Sequence, residues 1–197
     1  MKASFYLALS GHYRQAIIIQ RCVFENFLYG MYFFAEHNKF SEGDEDKNEV
    51  NSKFRSWLSG GFRKSDAYLR EIIRKAGFIS KQENDEWANL FNELSQFVHT
   101  ILQTPTGRAI KYANFEIKSC YSLVIFDRNS LMEWSNYYQK VFFIILYQLI
   151  RLFPVVKTTE AGKLALRILR NDFRDIRKKH ENPYLERISR MRIRKTA

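Results

Sequence analysis

Glycine and proline are scarce in this chain, 8 and 3 among 197 residues. That shortage removes the tight turns that a sandwich of many hairpins would need. Cysteine is rarer still. Cys22 and Cys120 have neither a CxxC partner spacing nor a matching histidine cluster, so no disulfide framework and no zinc site can be read. No metal and no cofactor is expected. The opening residues MKASFYLALSGHYRQ lack a basic stretch followed by a clean apolar run, because His12 and Arg14 intrude, and a signal peptide is not expected. Long apolar runs are missing too. Residues 17–34 carry Gln20, Arg21, Glu25 and Asn26, and residues 141–156 carry Gln148, Arg151 and Pro154. Neither reaches the roughly 20 uninterrupted apolar residues of a membrane span. Both read as core helices, and a cytoplasmic protein without a membrane partner is expected. No P-loop, dinucleotide glycine fingerprint, nucleophile elbow or zincin motif occurs, so nucleotide hydrolysis, hydride transfer and familiar hydrolase chemistry have no support.

What is present is apolar bulk and positive charge. Hydrophobic residues make up 46% of the chain and aromatic residues 16%, enough to offset the ordering entropy of a compact fold. The expected fold class is all-α, a helical bundle with a long apolar N-terminal helix at its centre and a basic C-terminal helix on its flank. A single bundle domain over residues 1–180 would then be followed by a basic tail, residues 181–197.

Local patterns place the helices. Residues 3–38 hold a helical pattern apolar on most faces, which belongs inside a bundle. Residues 41–51, SEGDEDKNEVN, read as a solvated loop, without the alternating ligands of a calcium loop. A short helix over 53–57 should end at Gly60-Gly61, and another over 65–76 should be closed by Gly77. Ser80-Lys81-Gln82-Glu83 is a capping box that starts a helix running to about Thr100, with Trp87, Leu90, Phe91, Leu94, Phe97, Val98 and Ile101 on one stripe. Residues 108–127 have the composition of a short hairpin. Ser130-Leu131-Met132-Glu133 forms a second capping box, opening a helix to about Phe153 that Pro154 ends. Thr158 or Thr159 should cap a last long helix reaching Lys179 or His180.

The charge is concentrated near the C-terminus. Of a net +11, residues 163–197 supply +8, from 12 Lys and Arg against 4 Asp and Glu. Lys163, Arg167, Arg170, Arg174 and Arg177 recur at spacings of 4, 3, 4 and 3, which aligns them on one helical face beside a stripe of Leu166, Leu169, Phe173 and Ile176. One stripe can dock while the other follows a phosphate backbone, with Lys178 and Lys179 extending it. A solvated basic face, and a surface that meets a partner helix or a membrane, are the competing readings. Arg187, Arg190, Arg192, Arg194 and Lys195 add charge with few apolar anchors, as expected of a tail that orders on binding.

Arg174-Asp175-Ile176-Arg177-Lys178-Lys179-His180 places an arginine and a histidine six apart, with a polar residue after the arginine. This resembles the R-x(4–6)-H motif of the HEPN superfamily, small all-helical proteins that often act as metal-independent ribonucleases in toxin and phage-defence systems. In such chemistry a histidine moves a proton and an arginine holds the scissile phosphate, with the RNA's own 2′-OH as nucleophile. The resemblance therefore implies catalytic roles for Arg174 and His180, and a homodimer that brings two motif copies to one groove. Residues 9–37 are followed by Phe54-x-x-Trp57 and by Leu94-Ser95-Gln96-Phe97-Val98-His99. Together they resemble a group of HEPN-like bacterial helical proteins in which a long first helix carries an Arg and a Glu on its buried face.

Arg21 and Glu25 lie four apart in the N-terminal helix and therefore face each other. A buried polar cluster of Arg21 and Glu25, joined by His99, is expected, structural in the first instance and a functional pocket in the second. Three functions stay open: an RNA-directed effector cleaving through Arg174 and His180, a non-catalytic nucleic-acid-binding module, and an interaction subunit of a larger defence complex.

Overall fold

The computed structural model describes residues 1–39, 45–99 and 128–153, together with 159, 160, 163, 184, 187 and 188; the side chains of 45, 46 and 99 lie outside that set. Six helices are present among these residues, with no strand: α1 (Lys2–Leu9), α2 (Tyr13–His37), α3 (Glu45–Leu58), α4 (Asp66–Lys75), α5 (Lys81–His99) and α6 (Arg128–Leu152). The all-α class follows directly. The hairpin expected over 108–127 lies outside the described residues.

The chain divides into two compact units, Met1–Trp134 and Ser135–Ala197. Residues 181–197, expected as an appended tail, fall within the second. In the first unit α2 is the hub, packing against α1, α3, α4 and α5, while α4 also packs on α5. Its buried face holds Tyr13, Ile17, Gln20, Phe24, Leu28, Met31 and Ala35, recurring every three or four residues. Trp87 of α5 is fully buried against this face, with its ring 6.0 Å from Phe24 and 5.4 Å from Phe27.

The long N-terminal helix expected from residue 3 is two helices. Gly11 stops the first, at a φ of 76°, a left-handed conformation that costs a residue with a Cβ about 1–2 kcal/mol. Its N–H donates to Ala8 O at 3.0 Å and the next, of His12, to Leu7 O at 2.8 Å, the paired bonds of a left-handed helix stop. Gly77 closes α4 with the same pair, to Arg74 O and Ile73 O, as its sequence position suggested. Nor is α2 apolar all round, since Gln15, Cys22, Asn26 and Gly30 are exposed.

The acidic stretch expected as a loop to residue 51 is helical from Glu45 onwards. Val50, Phe54 and Trp57 supply the apolar face that docks α3. Val50 is buried, and the Phe54 and Trp57 rings approach Phe33 at 5.2 and 5.8 Å.

The helix starts are mixed. Ser65 Oγ accepts from Tyr68 N at α4. At α5 the Ser80 box closes in both directions: Glu83 N donates to Ser80 Oγ at 3.1 Å, and Ser80 N donates to Glu83 Oε2 at 2.8 Å. The second box does not act as a start, because α6 already includes Arg128 and Asn129, which places Ser130 inside the helix. Arg70 joins α4 to the beginning of α5, donating to Asp66 at 2.8 Å and to the backbone and side-chain oxygens of Asn84 at 3.2 Å.

In the second unit, Val141, Phe143, Ile144 and Ile150 of α6 are buried. Gln148 is fully buried as well, with neither amide atom hydrogen-bonded among the described residues. No helix among the described residues is long and apolar enough to cross a membrane.

Candidate functional site

The polar seam between α2 and α5 is the part of the expected site that the structure describes. Arg21 and Glu25 face each other across one helical turn, as their spacing requires, with Nη1 2.8 Å from Oε2. Arg21 Nε also donates to Ser95 Oγ at 3.2 Å, and its guanidinium carbon lies 4.9 Å from the centre of the Phe91 ring. Two turns nearer the helix start, Arg14 Nε donates to Phe97 O at 3.1 Å, in the last turn of α5, where a cation complements the free carbonyls.

The pair is not buried as expected. The Arg21 and Glu25 side chains keep 20% and 36% of their surface exposed. They sit one residue beyond Gln20 and Phe24, about 100° round the helix from the buried face, so they line the edge of the α2–α5 contact. Water reaches them, and the cost of an isolated buried charge does not arise. The His99 side chain, expected to join them, lies outside the described residues.

A buried polar cluster does exist, at residues the sequence did not mark. Ser4 Oγ donates to Ala16 O at 2.7 Å, and accepts from Trp134 Nε1 at 2.9 Å and from Gln20 Nε2 at 3.3 Å. Ser4 and Gln20 are fully buried. This hydroxyl uses its one hydrogen and both lone pairs, and so ties α1, α2 and the first turns of α6 together. Each of the three is an ordinary core or surface residue in its local pattern, so no short-range signal marks them. The cluster has no ionisable member and is structural.

Titration is perturbed away from this seam. Burial pushes the Tyr32 hydroxyl well above the ordinary tyrosine range, helped by nearby Glu36 and Tyr68. Hydrogen bonds from Arg74 hold Glu71 below its usual range, on an exposed face of α4. No group of three or more potential metal ligands occurs among the described residues.

The basic stripe is described at one position. Lys163 N donates to Thr159 O at 2.9 Å, the first helical bond after the expected Thr159 cap, and Lys163 Nζ pairs with Glu160 at 2.8 Å. Arg167, Arg170, Arg174, Arg177, Lys178, Lys179 and His180 lie outside the described residues. Three positions nearer the C-terminus are described. Tyr184 and Ile188 retain 4% and 0% exposure, and the Tyr184 ring meets Tyr147 of α6 edge-on at 5.7 Å. Arg187 places its guanidinium carbon 4.8 Å from the Tyr184 ring centre. The basic segment past residue 180 therefore has the apolar anchors that its composition appeared to lack; their four-residue spacing is the signal that was available.

Charge follows the division into units. Met1–Trp134 carries 17 Lys and Arg against 16 Asp and Glu, a net of +1, whereas Ser135–Ala197 carries 15 against 5, a net of +10. An almost neutral unit is joined to one with a strong positive excess. Comparison with known proteins identifies no relative: no family model, no curated protein and no solved structure matches this chain.

Proposed function

We propose that this chain is an RNA-directed, HEPN-like effector of bacterial defence, acting in the cytoplasm as a homodimer or as a subunit of a larger complex. The observation that carries this reading is the charge partition, +10 in residues 135–197 against +1 in residues 1–134. A 63-residue unit with three basic residues for every acidic one is suited to neutralising a run of phosphates. The all-helical fold agrees with the resemblance on which the catalytic roles of Arg174 and His180 rest.

In the proposed reaction His180 takes the proton of a ribose 2′-OH, and the 2′ oxygen bonds to the adjacent phosphorus as the bond from phosphorus to the 5′ oxygen breaks. The leaving 5′ oxygen receives a proton from an imidazolium, giving a 2′,3′-cyclic phosphate and a 5′-OH. Arg174 offsets the negative charge that gathers on the non-bridging oxygens.

The test is incubation of the full chain with labelled single-stranded RNA in the presence of a chelator, followed by analysis of the ends. Cyclic phosphate ends are expected with the parent, and none with His180→Ala. Replacing Arg167, Arg170 and Arg174 together by Ala is expected to weaken RNA binding without unfolding the protein. RNA that is bound but left intact overturns the cleavage step and leaves a non-catalytic binding module. RNA that the triple variant binds as well as the parent at physiological salt removes the stripe as the binding surface and favours an acidic protein partner.

A further inference from the structure

We propose that one corner of the first unit, made by the end of α3, the turn over residues 59–65 and the start of α4, is a stacking site for single-stranded RNA. Phe54 and Tyr68 receive bases there, and Arg55, Arg63 and Lys64 hold the adjoining phosphates. This rests on the RNA reading above and names the form of RNA. Residues 53–65, KFRSWLSGGFRKS, hold four basic residues and no acid, inside a unit whose net charge is only +1. The acids around them are already engaged. Glu36 pairs with Lys39, Glu49 with Lys53 and Asp66 with Arg70. The Arg55 and Arg63 side chains are exposed and pair with no acid among the described residues.

Aromatic surface is exposed at the same corner and held in place. Phe54 and Tyr68 keep 39% and 43% of their surface exposed. They end one row of packed rings: Phe54 lies 5.2 Å from Phe33, Phe33 5.7 Å from Phe62, Phe62 5.8 Å from Tyr32, and Tyr32 6.1 Å from Tyr68. Lys64 Nζ lies 5.7 Å from the centre of the Phe62 ring and 5.3 Å from that of Tyr68, which sets a cation beside an exposed ring. The turn itself is tied down. The Tyr29 hydroxyl donates to Lys64 O at 3.1 Å and accepts from Lys64 N at 2.9 Å, while Ser56 O accepts from Gly61 N at 2.8 Å and Phe62 N at 3.3 Å. Every base has a π face, so fixed rings beside unpaired cations suit an unpaired strand of any sequence. A duplex keeps its bases stacked inside and would meet only the cations. An anionic membrane would meet them too, but these rings are packed on one another, and Leu58, at 65% exposure, is a single protruding anchor.

The experiment uses the full chain and measures affinity for a labelled single-stranded RNA oligonucleotide, for the same oligonucleotide annealed as a duplex, and for phosphatidylserine vesicles, across a salt series. A ring variant carries Phe54→Leu with Tyr68→Leu, and a charge variant carries Arg55→Gln with Arg63→Gln. The ring variant is expected to raise Kd for the single strand about tenfold, leaving the salt slope and the duplex affinity unchanged, since only stacking is lost. The charge variant is expected to lower the log–log slope on the single strand by about 1.4, about 0.7 for each phosphate contact. Single-strand affinity equal to the parent's in the ring variant overturns the inference while the RNA reading stands, and so does an equal loss on strand and duplex. Should the ring variant unfold, the charge variant decides, because its two side chains lie on the surface: an unchanged slope overturns the inference. Vesicle binding by the parent that both variants lose, with RNA affinity intact, assigns the corner to a membrane and overturns it as well. A parent chain that does not retain RNA overturns the functional reading and this inference together.

Discussion

Trp134 Nε1 donates to the hydroxyl of Ser4 at 2.9 Å across 130 residues of chain, and the same hydroxyl donates onward to Ala16 O. A single small side chain thus fixes how α1 and the start of α6 meet α2. Ser4→Ala leaves the indole N–H and the Gln20 amide without that acceptor inside the core. The expected cost is about 1–3 kcal/mol, read as a lower denaturant midpoint at constant slope. A midpoint equal to the parent's would show that another acceptor takes over the indole.

Arg21 and Glu25 are expected to matter less. Both keep contact with water, so a double-mutant cycle of Arg21→Ala and Glu25→Ala should give a coupling below about 1 kcal/mol. The single Arg21→Ala change should exceed that coupling, because it also removes the cover over Phe91 and the bond to Ser95. A coupling of several kcal/mol would indicate a desolvated pair.

Gly11→Ala tests the break between α1 and α2. The left-handed backbone there is expected to cost about 1–2 kcal/mol with a Cβ in place, lowering the thermal midpoint without loss of helicity by circular dichroism. Gly30→Ala is the internal control. It lies within α2 with no atom within 4 Å of the added Cβ, so it should be neutral or stabilising.

Glu71 supplies a pH-dependent test. Arg74 holds its carboxyl below the ordinary value of 4.5, so the folded state favours the ionised form. The stabilisation is present above that ordinary value and is lost as pH falls through the lowered folded value. The stability difference between the parent and Glu71→Gln should therefore hold steady at neutral pH and shrink only below about pH 4.5. A difference that persists undiminished in strong acid would assign the effect to packing.

The helix-forming signals were legible in the residues because they are local. The Ser80–Glu83 box and the Gly77 stop each depend on atoms within one turn, and both form as their sequence spacing requires. The Arg21–Glu25 pairing is of the same kind. Environment, by contrast, does not follow from neighbours in sequence. Arg21 stands among apolar residues along the chain, yet round the helix it is about 100° from the buried row, and solvation depends on the second relation. The helix from Glu45 is hidden in the sequence for a related reason: an acidic stretch is unremarkable in a loop, and the docking of Val50, Phe54 and Trp57 against α2 is a tertiary contact.

The sequence by itself determined the all-helical class, through hydrophobic periodicity and scarce turn residues, and it determined where the positive charge accumulates, because both are properties of order along the chain. The tertiary structure alone decided which polar groups are buried together, making a neutral Ser4–Gln20–Trp134 cluster the core network and leaving the charged pair at an edge. It also decided that Tyr184 and Ile188 anchor a segment that composition marks as a tail. Burial is set by contacts between distant stretches of chain, and no local pattern encodes which stretches will meet.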